Sequence, residues 1–184
     1  MSCVPKPLNL RFDPVDRAAQ LWERRWGPST AMAAVTSVMR AQQILLAELD
    51  GILKPYRLTF ARYEALVLLR FSRKGSLPLS TMGERLMVHP TSVTNTIDRL
   101  EQQGFVCRRP NPRDGRGVLA ELTELGWDAV ERATADLMAA DFGVGSLDVR
   151  EQEQLFDILR TLRVAAGDFD PDTDTGPGAA EALE

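Results

Sequence analysis

The 184-residue sequence contains one histidine, His89, and only two cysteines, Cys3 and Cys107. Two cysteines are too few for a disulfide framework or a cysteine-rich metal cluster. The sequence also lacks a glycine-rich phosphate loop and a nucleophile placed beside a base. We therefore expect a protein that is not an enzyme and that uses no metal or other cofactor.

Long apolar segments are absent as well. No hydrophobic run approaches the roughly 20 residues needed to span a bilayer. The N-terminal residues MSCVPKPLNL do not combine a charged region with a long apolar stretch, as a secretory signal does. With an ordinary composition of 44% hydrophobic and 26% charged residues, these absences lead us to expect a cytoplasmic protein without a membrane partner.

The net charge of −4 hides a strong segregation of charge along the chain. Residues 57–116 carry a net charge of +6, whereas residues 1–56 carry +2 and residues 117–184 carry −12. Binding to nucleic acid depends on local charge, because salt screens electrostatic interactions over about 10 Å. The central basic segment is therefore compatible with a nucleic-acid contact, or simply with a solvated surface.

The segment from Ser80 to Leu122 has the most distinctive pattern. It predicts a short helix, a turn, a second helix, a strand, a basic hairpin loop and another strand, in that order. This order is typical of a winged helix-turn-helix, which places one helix in a DNA major groove and a loop in the neighbouring minor groove. We therefore predict a mainly α fold with a small β-hairpin wing, and double-stranded DNA as its partner.

The second of these helices, predicted over residues 90–103, has two different faces. Pro90 suits a helix start and Gly104 suits the position after its end. At helical spacing, one face is apolar and is expected to point inward; it is formed by Val93, Ile97 and Leu100. The opposite face carries mainly short hydrogen-bonding side chains, namely Thr91, Ser92, Thr94, Asn95, Asp98 and Arg99.

The chemistry of the outward face suits groove reading. Asn can bond an adenine edge and Arg a guanine edge, and Ser or Thr hydroxyls near a helix start can hold phosphates. Asp98 is unfavourable beside phosphates, so we expect it to pair with Arg99 or a wing arginine, or to lie beyond the groove. The alternative interpretation is an ordinary surface helix whose Ser and Thr residues act as caps.

The short helix before it is predicted to begin at Ser80 or Thr81, and Thr81 with Glu84 matches a capping box. The hairpin loop that follows has the sequence PNPRDGRG, whose prolines and glycines suit a tight exposed tip. Arginine at such a tip can enter a narrow minor groove. The tip carries Arg113, Asp114 and Arg116, and a local ion pair in a merely polar hairpin is the alternative.

Amphipathic helices are predicted on both sides of this segment. On the N-terminal side, one helix begins with Asp13 as its N-cap, and the next carries a nearly heptad apolar stripe from Met32 to Leu49. Such a long stripe suggests a helix that packs between others, including helices of a second subunit. A third helix is predicted from Tyr56 to Phe71.

On the C-terminal side, a helix is predicted to open at Thr123 and to continue to about Phe142. Asp148 and Glu151 match a capping box at the start of a final helix. The acidic tail is rich in Gly, Pro and Asp, so we expect it to be disordered. The predicted organisation is an N-terminal extension with dimerisation and ligand-side helices, a winged DNA-binding domain, C-terminal dimerisation helices and the tail, over residues 1–56, 57–122, 123–166 and 167–184.

Taken together, these motifs resemble the MarR family of bacterial transcription regulators. The matching pieces are LTFARYEALVLL, HPTSVTNTIDRLEQQGFV, the RDGR wing with Asp114 and Arg116, and LTELG at the next helix. The resemblance implies a homodimer held by its N- and C-terminal helices, which binds a pseudo-palindromic operator and acts most simply as a ligand-released repressor. The residues expected at DNA are Ser80, Thr81, His89, Pro90, Thr91, Ser92, Thr94, Asn95, Arg99, Arg113, Asp114 and Arg116; His89 is equally suited to a turn.

The resemblance also implies a small anionic or aromatic effector. The N-terminal helix with Trp22 is similar to that of the urate-responsive branch, where a tryptophan, an acidic residue and two arginines form the ligand pocket. Trp22, Glu64 and Arg108 fall at the corresponding positions. Thr96 occupies the position of the remaining arginine, and this departure argues against urate itself.

Two other functions fit parts of the sequence. Cys107 precedes Arg108 and Arg109, whose charges would favour its thiolate form and a redox-sensing role. A strand cysteine after Phe105 and Val106 is, however, typically buried and inert. A winged domain used only for protein contacts is the other alternative, although such a surface would tend to carry apolar groups in place of the polar outward face.

Overall fold

The computed structural model describes residues 10–72, 74–112, 114 and 117–171. The fold is mainly helical with one small antiparallel sheet, as predicted. The elements in chain order are α1 (Pro14–Trp26), α2 (Thr30–Leu53), α3 (Phe60–Phe71), β1 (Ser76–Pro78), α4 (Leu79–Arg85), α5 (Pro90–Gln102), β2 (Val106–Pro110), β3 (Val118–Leu122), α6 (Glu124–Ala139) and α7 (Val149–Ala165). Single 3-10 turns lie at Lys54–Tyr56 and Asp141–Gly143.

The hydrophobic core belongs to the winged domain and the helices against it. Leu53, Leu66, Leu69, Ile97 and Leu137 are fully buried, and they bring α2, α3, α5 and α6 around one centre. Burial of side chains of this size stabilises a fold by roughly 1.5–3 kcal/mol each. The core therefore fixes the back of α5 and leaves its other side to solvent.

The sheet forms the wing and joins it to the core. Its strand order is β1-β3-β2, and both pairs are antiparallel. Val106 lies opposite Leu122 and Arg108 lies opposite Ala120, so the core-facing side of β2 includes Arg108. This register places the Arg108 side chain toward α5.

Several helix ends differ from the predicted ones. α2 continues to Leu53 rather than ending near Leu49, because Leu53 is buried in the core. α3 begins at Phe60 instead of Tyr56, since Arg57 adopts a left-handed conformation (φ 59°) that interrupts the helix.

The capping predictions had mixed outcomes. Asp13 caps α1 by accepting a hydrogen bond from the Val15 N–H at 2.8 Å, as predicted. The capping box predicted at Thr81 is wrong, because α4 already begins at Leu79 and its N-cap is Pro78, which offers no side-chain acceptor. The chain leaves β1 directly into α4, so Ser80 and Thr81 lie within the first turn of the helix.

The C-terminal helices are separated by a sharp break. α6 ends at Ala139, before the predicted Phe142, because Asp141 and Phe142 both have positive φ. The capping box at the start of α7 is present, with reciprocal hydrogen bonds of 2.8 and 2.9 Å between Asp148 and Glu151. Beyond this break, none of the residues of α7 is buried in the described structure.

Candidate nucleic-acid interface

Local interactions define the start of α5. His89 is the N-cap, and its Nδ1 accepts a hydrogen bond from the Thr91 N–H at 3.2 Å. Pro90 occupies the first helical position, where its missing N–H is of no consequence. Val93, Ile97 and Leu100 are buried as predicted. One apolar stripe therefore fixes which way the polar face of α5 points.

The polar face of α5 is open to solvent. Its exposed members are Thr91, Ser92, Thr94, Asn95 and Arg99, all of which were predicted to face DNA. A groove of about 550 Å³ runs along this face toward the start of α3, and Asn95, Arg99, Gln102 and Arg62 are among its lining residues. The face thus presents amide, hydroxyl and guanidinium groups on a rigid helix, which is the chemistry that base edges and phosphates accept.

Helix α4, which precedes α5 in the helix-turn-helix, contributes less to this surface. Ser80 is exposed and Thr81 is half-buried at the start of α4. Two apolar residues of the following turn, Met87 and Val88, are exposed as well. Met87 has a left-handed φ of 54°, which lets the chain turn between α4 and α5 within four residues.

The wing closes through a short hairpin between β2 and β3. The Asn111 N–H donates to the Gly117 carbonyl and the Gly117 N–H donates to the Asp114 carbonyl, both at 2.9 Å. Asp114 is exposed at this tip. Arg113 and Arg116, which were predicted to enter the minor groove, lie outside the described residues. Their role at DNA remains a prediction from the sequence.

Asp98 pairs with an arginine of a wing strand, which is one of the alternatives that the sequence predicted. Its Oδ1 lies 2.5 Å from a guanidinium nitrogen of Arg108, which belongs to β2 rather than to α5 or the wing tip. Glu101 binds the same guanidinium, and its Oε1 also accepts a hydrogen bond from the Arg108 N–H at 3.2 Å. Burial lowers the pKa of Arg108, but the hydrogen bonds that its guanidinium donates to Asp98 and Glu101 outweigh this effect, so the pKa is raised.

The residues proposed for a ligand pocket do not form a single described cavity. Glu64 and Thr96 line a pocket of about 100 Å³ between α3 and α5, and neither Trp22 nor Arg108 is among its described lining residues. Trp22 instead packs on Trp26 of α1, with ring centroids 4.8 Å apart. Burial raises the pKa of the Glu64 carboxyl above its ordinary value.

Cys107 is a half-buried free cysteine on β2. It lies opposite Glu121 on the side of the strand away from Arg108. Within the described residues, no cluster of His, Cys, Asp or Glu has the arrangement of a metal site. Over the same residues, no helix is long and apolar enough to cross a membrane.

Large apolar side chains are exposed on the helices outside the winged domain. Val35 and Met39 of α2 are more than half exposed, and Trp26 of α1 is 67% exposed. In the described structure, none of the 17 residues of α7 is buried, and Ile158 and Leu162 are exposed by 68% and 63%. Apolar surface of this extent, concentrated on helices, is characteristic of an interface.

The chain is similar to known transcriptional regulators. A model of the MarR family matches residues 58–118. The crystal structure of Sco5413, a MarR family transcriptional regulator from Streptomyces coelicolor, is 64% identical and covers 77% of this chain and 98% of its own, with a TM-score of 0.72. Sco3205, a MarR family transcriptional regulator from the same organism, was solved in complex with DNA; it is 25% identical, covers 82% of this chain and 94% of its own, and has a TM-score of 0.69. The HTH-type transcriptional regulator YhbI of Bacillus subtilis (strain 168) is 32% identical over 119 residues, 65% of this chain and 72% of its own.

Proposed function

Because this chain belongs to the MarR family of transcriptional regulators, we propose that it binds a pseudo-palindromic operator in double-stranded DNA as a homodimer. Its role would be that of a repressor which a small anionic or aromatic effector releases from DNA. The family assignment also places the chain among regulators rather than enzymes.

The observation that carries the proposal is the polar face of α5. The helix rises by about 20 Å over its 13 residues and is narrow enough for a major groove about 12 Å wide. Asn95 lies in the middle of the exposed face, where it can bond an adenine edge, and Thr91 and Ser92 lie at the helix start, where phosphates are bound. Sco3205, a MarR family regulator with a similar fold, was solved in complex with DNA, which supports DNA as the partner of this chain.

The homodimer rests on the exposed apolar surface of α1, α2 and α7. Covering each large side chain on that surface would contribute roughly 1.5–3 kcal/mol, so a second copy of the chain is the simplest cover for the apolar faces of these helices. A two-fold dimer would also present two copies of α5, and it therefore explains a palindromic operator.

The effector proposal is supported by the pocket behind α5. Glu64 and Thr96 line it, and a molecule that enlarged it would push on the helix that reads DNA. A volume of about 100 Å³ is small compared with ordinary ligand sites of roughly 300–1,000 Å³, so binding requires the pocket to open. Isothermal titration with urate and with small polycarboxylates tests the idea, and the absence of heat with both classes would argue against it.

DNA binding is tested with the DNA upstream of the protein's own gene, in a gel-shift titration. Asn95→Ala should weaken specific binding about tenfold or more and relax the base preference, since a bidentate contact contributes about 1–3 kcal/mol of discrimination. Arg116→Ala should weaken binding to all sequences and reduce the salt slope by about one unit. Arg150→Ala at the start of α7 removes the same charge outside the winged domain and serves as the control. Unchanged affinity in both variants would contradict the docking model.

The homodimer is tested by light scattering coupled to size-exclusion chromatography. Ile158→Asp should shift the protein toward the monomer, because it places a charge in the proposed apolar interface. Ser146→Asp adds the same charge at an exposed polar position before α7 and should leave the dimer intact. A parent protein that is monomeric at all concentrations would rule the dimer out.

A further inference from the structure

Arg108 connects the two parts of the winged domain that are proposed to read DNA. Its guanidinium lies between Asp98 and Glu101, which are one helical turn apart on the flank of α5. Its main-chain N–H also donates to Glu101. Since β2 leads into the wing hairpin, these contacts set the position of the wing strand relative to the recognition helix.

Arg108 also determines the charge that α5 presents. Within Pro90–Gln102, Asp98 and Glu101 contribute two negative charges and Arg99 contributes one positive charge. The helix alone therefore has a net charge of −1, although its outward face is proposed to lie among phosphates. The guanidinium of Arg108 balances that excess, and its two partners remain 46% and 40% exposed, where phosphates would otherwise repel them.

We propose that Arg108 is a positioning residue for DNA recognition, which neutralises Asp98 and Glu101 and holds their carboxylates on the wing side of α5. The proposal rests on the proposed DNA-binding function. It assigns to Arg108 a role different from that of a ligand-binding arginine, because its guanidinium is already engaged by two carboxylates. It also explains how an acidic residue is tolerated within the reading face.

The role concerns DNA affinity more than folding. Ion pairs between partly exposed side chains contribute about 0–1 kcal/mol to stability, because water screens them and both side chains lose freedom. Loss of Arg108 should therefore leave a folded protein. It should leave two carboxylates without their counter-charge on the helix that is proposed to face DNA, and this penalty appears only when DNA is bound.

The test is a mutant cycle on operator affinity at low and high salt. Arg108→Gln should lower affinity about tenfold at 50 mM salt and by clearly less at 300 mM salt, because the repulsion is screened. Adding Asp98→Asn and Glu101→Gln to Arg108→Gln removes the repelling charges and should restore most of the affinity. Arg108→Lys keeps the charge and should lose less than Arg108→Gln. Arg109→Gln, on the opposite side of β2, is the matched control.

The outcomes separate the possibilities. Rescue by the two neutral substitutions supports charge positioning, since a damaged fold would not be repaired by removing more contacts. Unchanged affinity of Arg108→Gln, a loss equal at both salt concentrations, or failure of the rescue in a variant that melts like the parent would overturn the proposal. If the parent protein itself shows no specific binding, the proposed function fails and this proposal fails with it.

Discussion

Gly126, the glycine of the LTELG motif, should not tolerate alanine. It lies in the first turn of α6, where alanine ordinarily stabilises a helix by about 1 kcal/mol relative to glycine. A Cβ atom at this position, however, would lie 2.1 Å from the Phe105 carbonyl oxygen and 3.1 Å from a methyl group of Leu122. Since carbon–oxygen contacts are normally about 3.3 Å or longer, the main chain at Phe105 must move by about 1 Å.

That movement disturbs the junction between α5, β2 and α6. The Phe105 carbonyl accepts the Thr123 N–H at 3.1 Å, and the Thr123 hydroxyl donates to the Gly104 carbonyl at 2.6 Å. Overpacking costs about 1–3 kcal/mol and each weakened hydrogen bond about 1 kcal/mol, which together outweigh the helix propensity of alanine. Gly126→Ala should therefore reduce the free energy of unfolding by about 2–3 kcal/mol.

Urea unfolding followed by circular dichroism at one fixed protein concentration measures this change. Gly51→Ala in α2 is the matched control, because a Cβ at Gly51 has no described atom within 4 Å. It should stabilise the protein by about 0.5–1 kcal/mol. If Gly126→Ala were as stable as Gly51→Ala, the close approach of α6 to Phe105 would be refuted.

Three further substitutions test local features of the fold. Met87 is exposed and has a φ of 54°, a conformation that costs less for glycine than for other residues. Met87→Gly should therefore raise the free energy of unfolding by about 1 kcal/mol, and equal stability of Met87→Gly and Met87→Ala would contradict this. His89→Ala should cost about 1 kcal/mol through loss of the α5 cap, whereas His89→Asn should retain it; thermal melts that rank the two alike would be inconsistent with capping. Burial raises the pKa of Glu64 in the folded state. The contribution of Glu64 to stability is therefore complete below its unfolded pKa and is lost as the pH rises through its folded pKa. Glu64→Gln should be more stable than the parent at pH 7, and this advantage should disappear near pH 4 in thermal melts.

The start and orientation of α5 could be predicted from the sequence because local interactions determine them. Pro90 at the first helical position and the spacing of Val93, Ile97 and Leu100 are both readable without tertiary structure, and both are confirmed. The capping box at Asp148 is equally local and is also confirmed.

The features that the sequence did not reveal depend on tertiary contacts or on the conformation of a single residue. The extension of α2 to Leu53 follows from burial against the winged domain, and the late start of α3 follows from the left-handed Arg57. Which wing arginine pairs with Asp98 could not be predicted, because the pair with Arg108 requires the turn after α5 to bring β2 back along the helix. One signal was available, since carboxylates at positions 98 and 101 share one flank of a helix that is followed by a strand arginine.

Equilibrium binding of the parent protein to a fluorescent duplex from upstream of its own gene tests the central claim most directly. The account predicts specific binding with one dimer per duplex, an affinity that falls steeply with salt, and a loss of about tenfold or more in Asn95→Ala but not in Arg150→Ala. Equal affinity for the upstream duplex and an unrelated duplex, with Asn95→Ala indistinguishable from the parent, would contradict it.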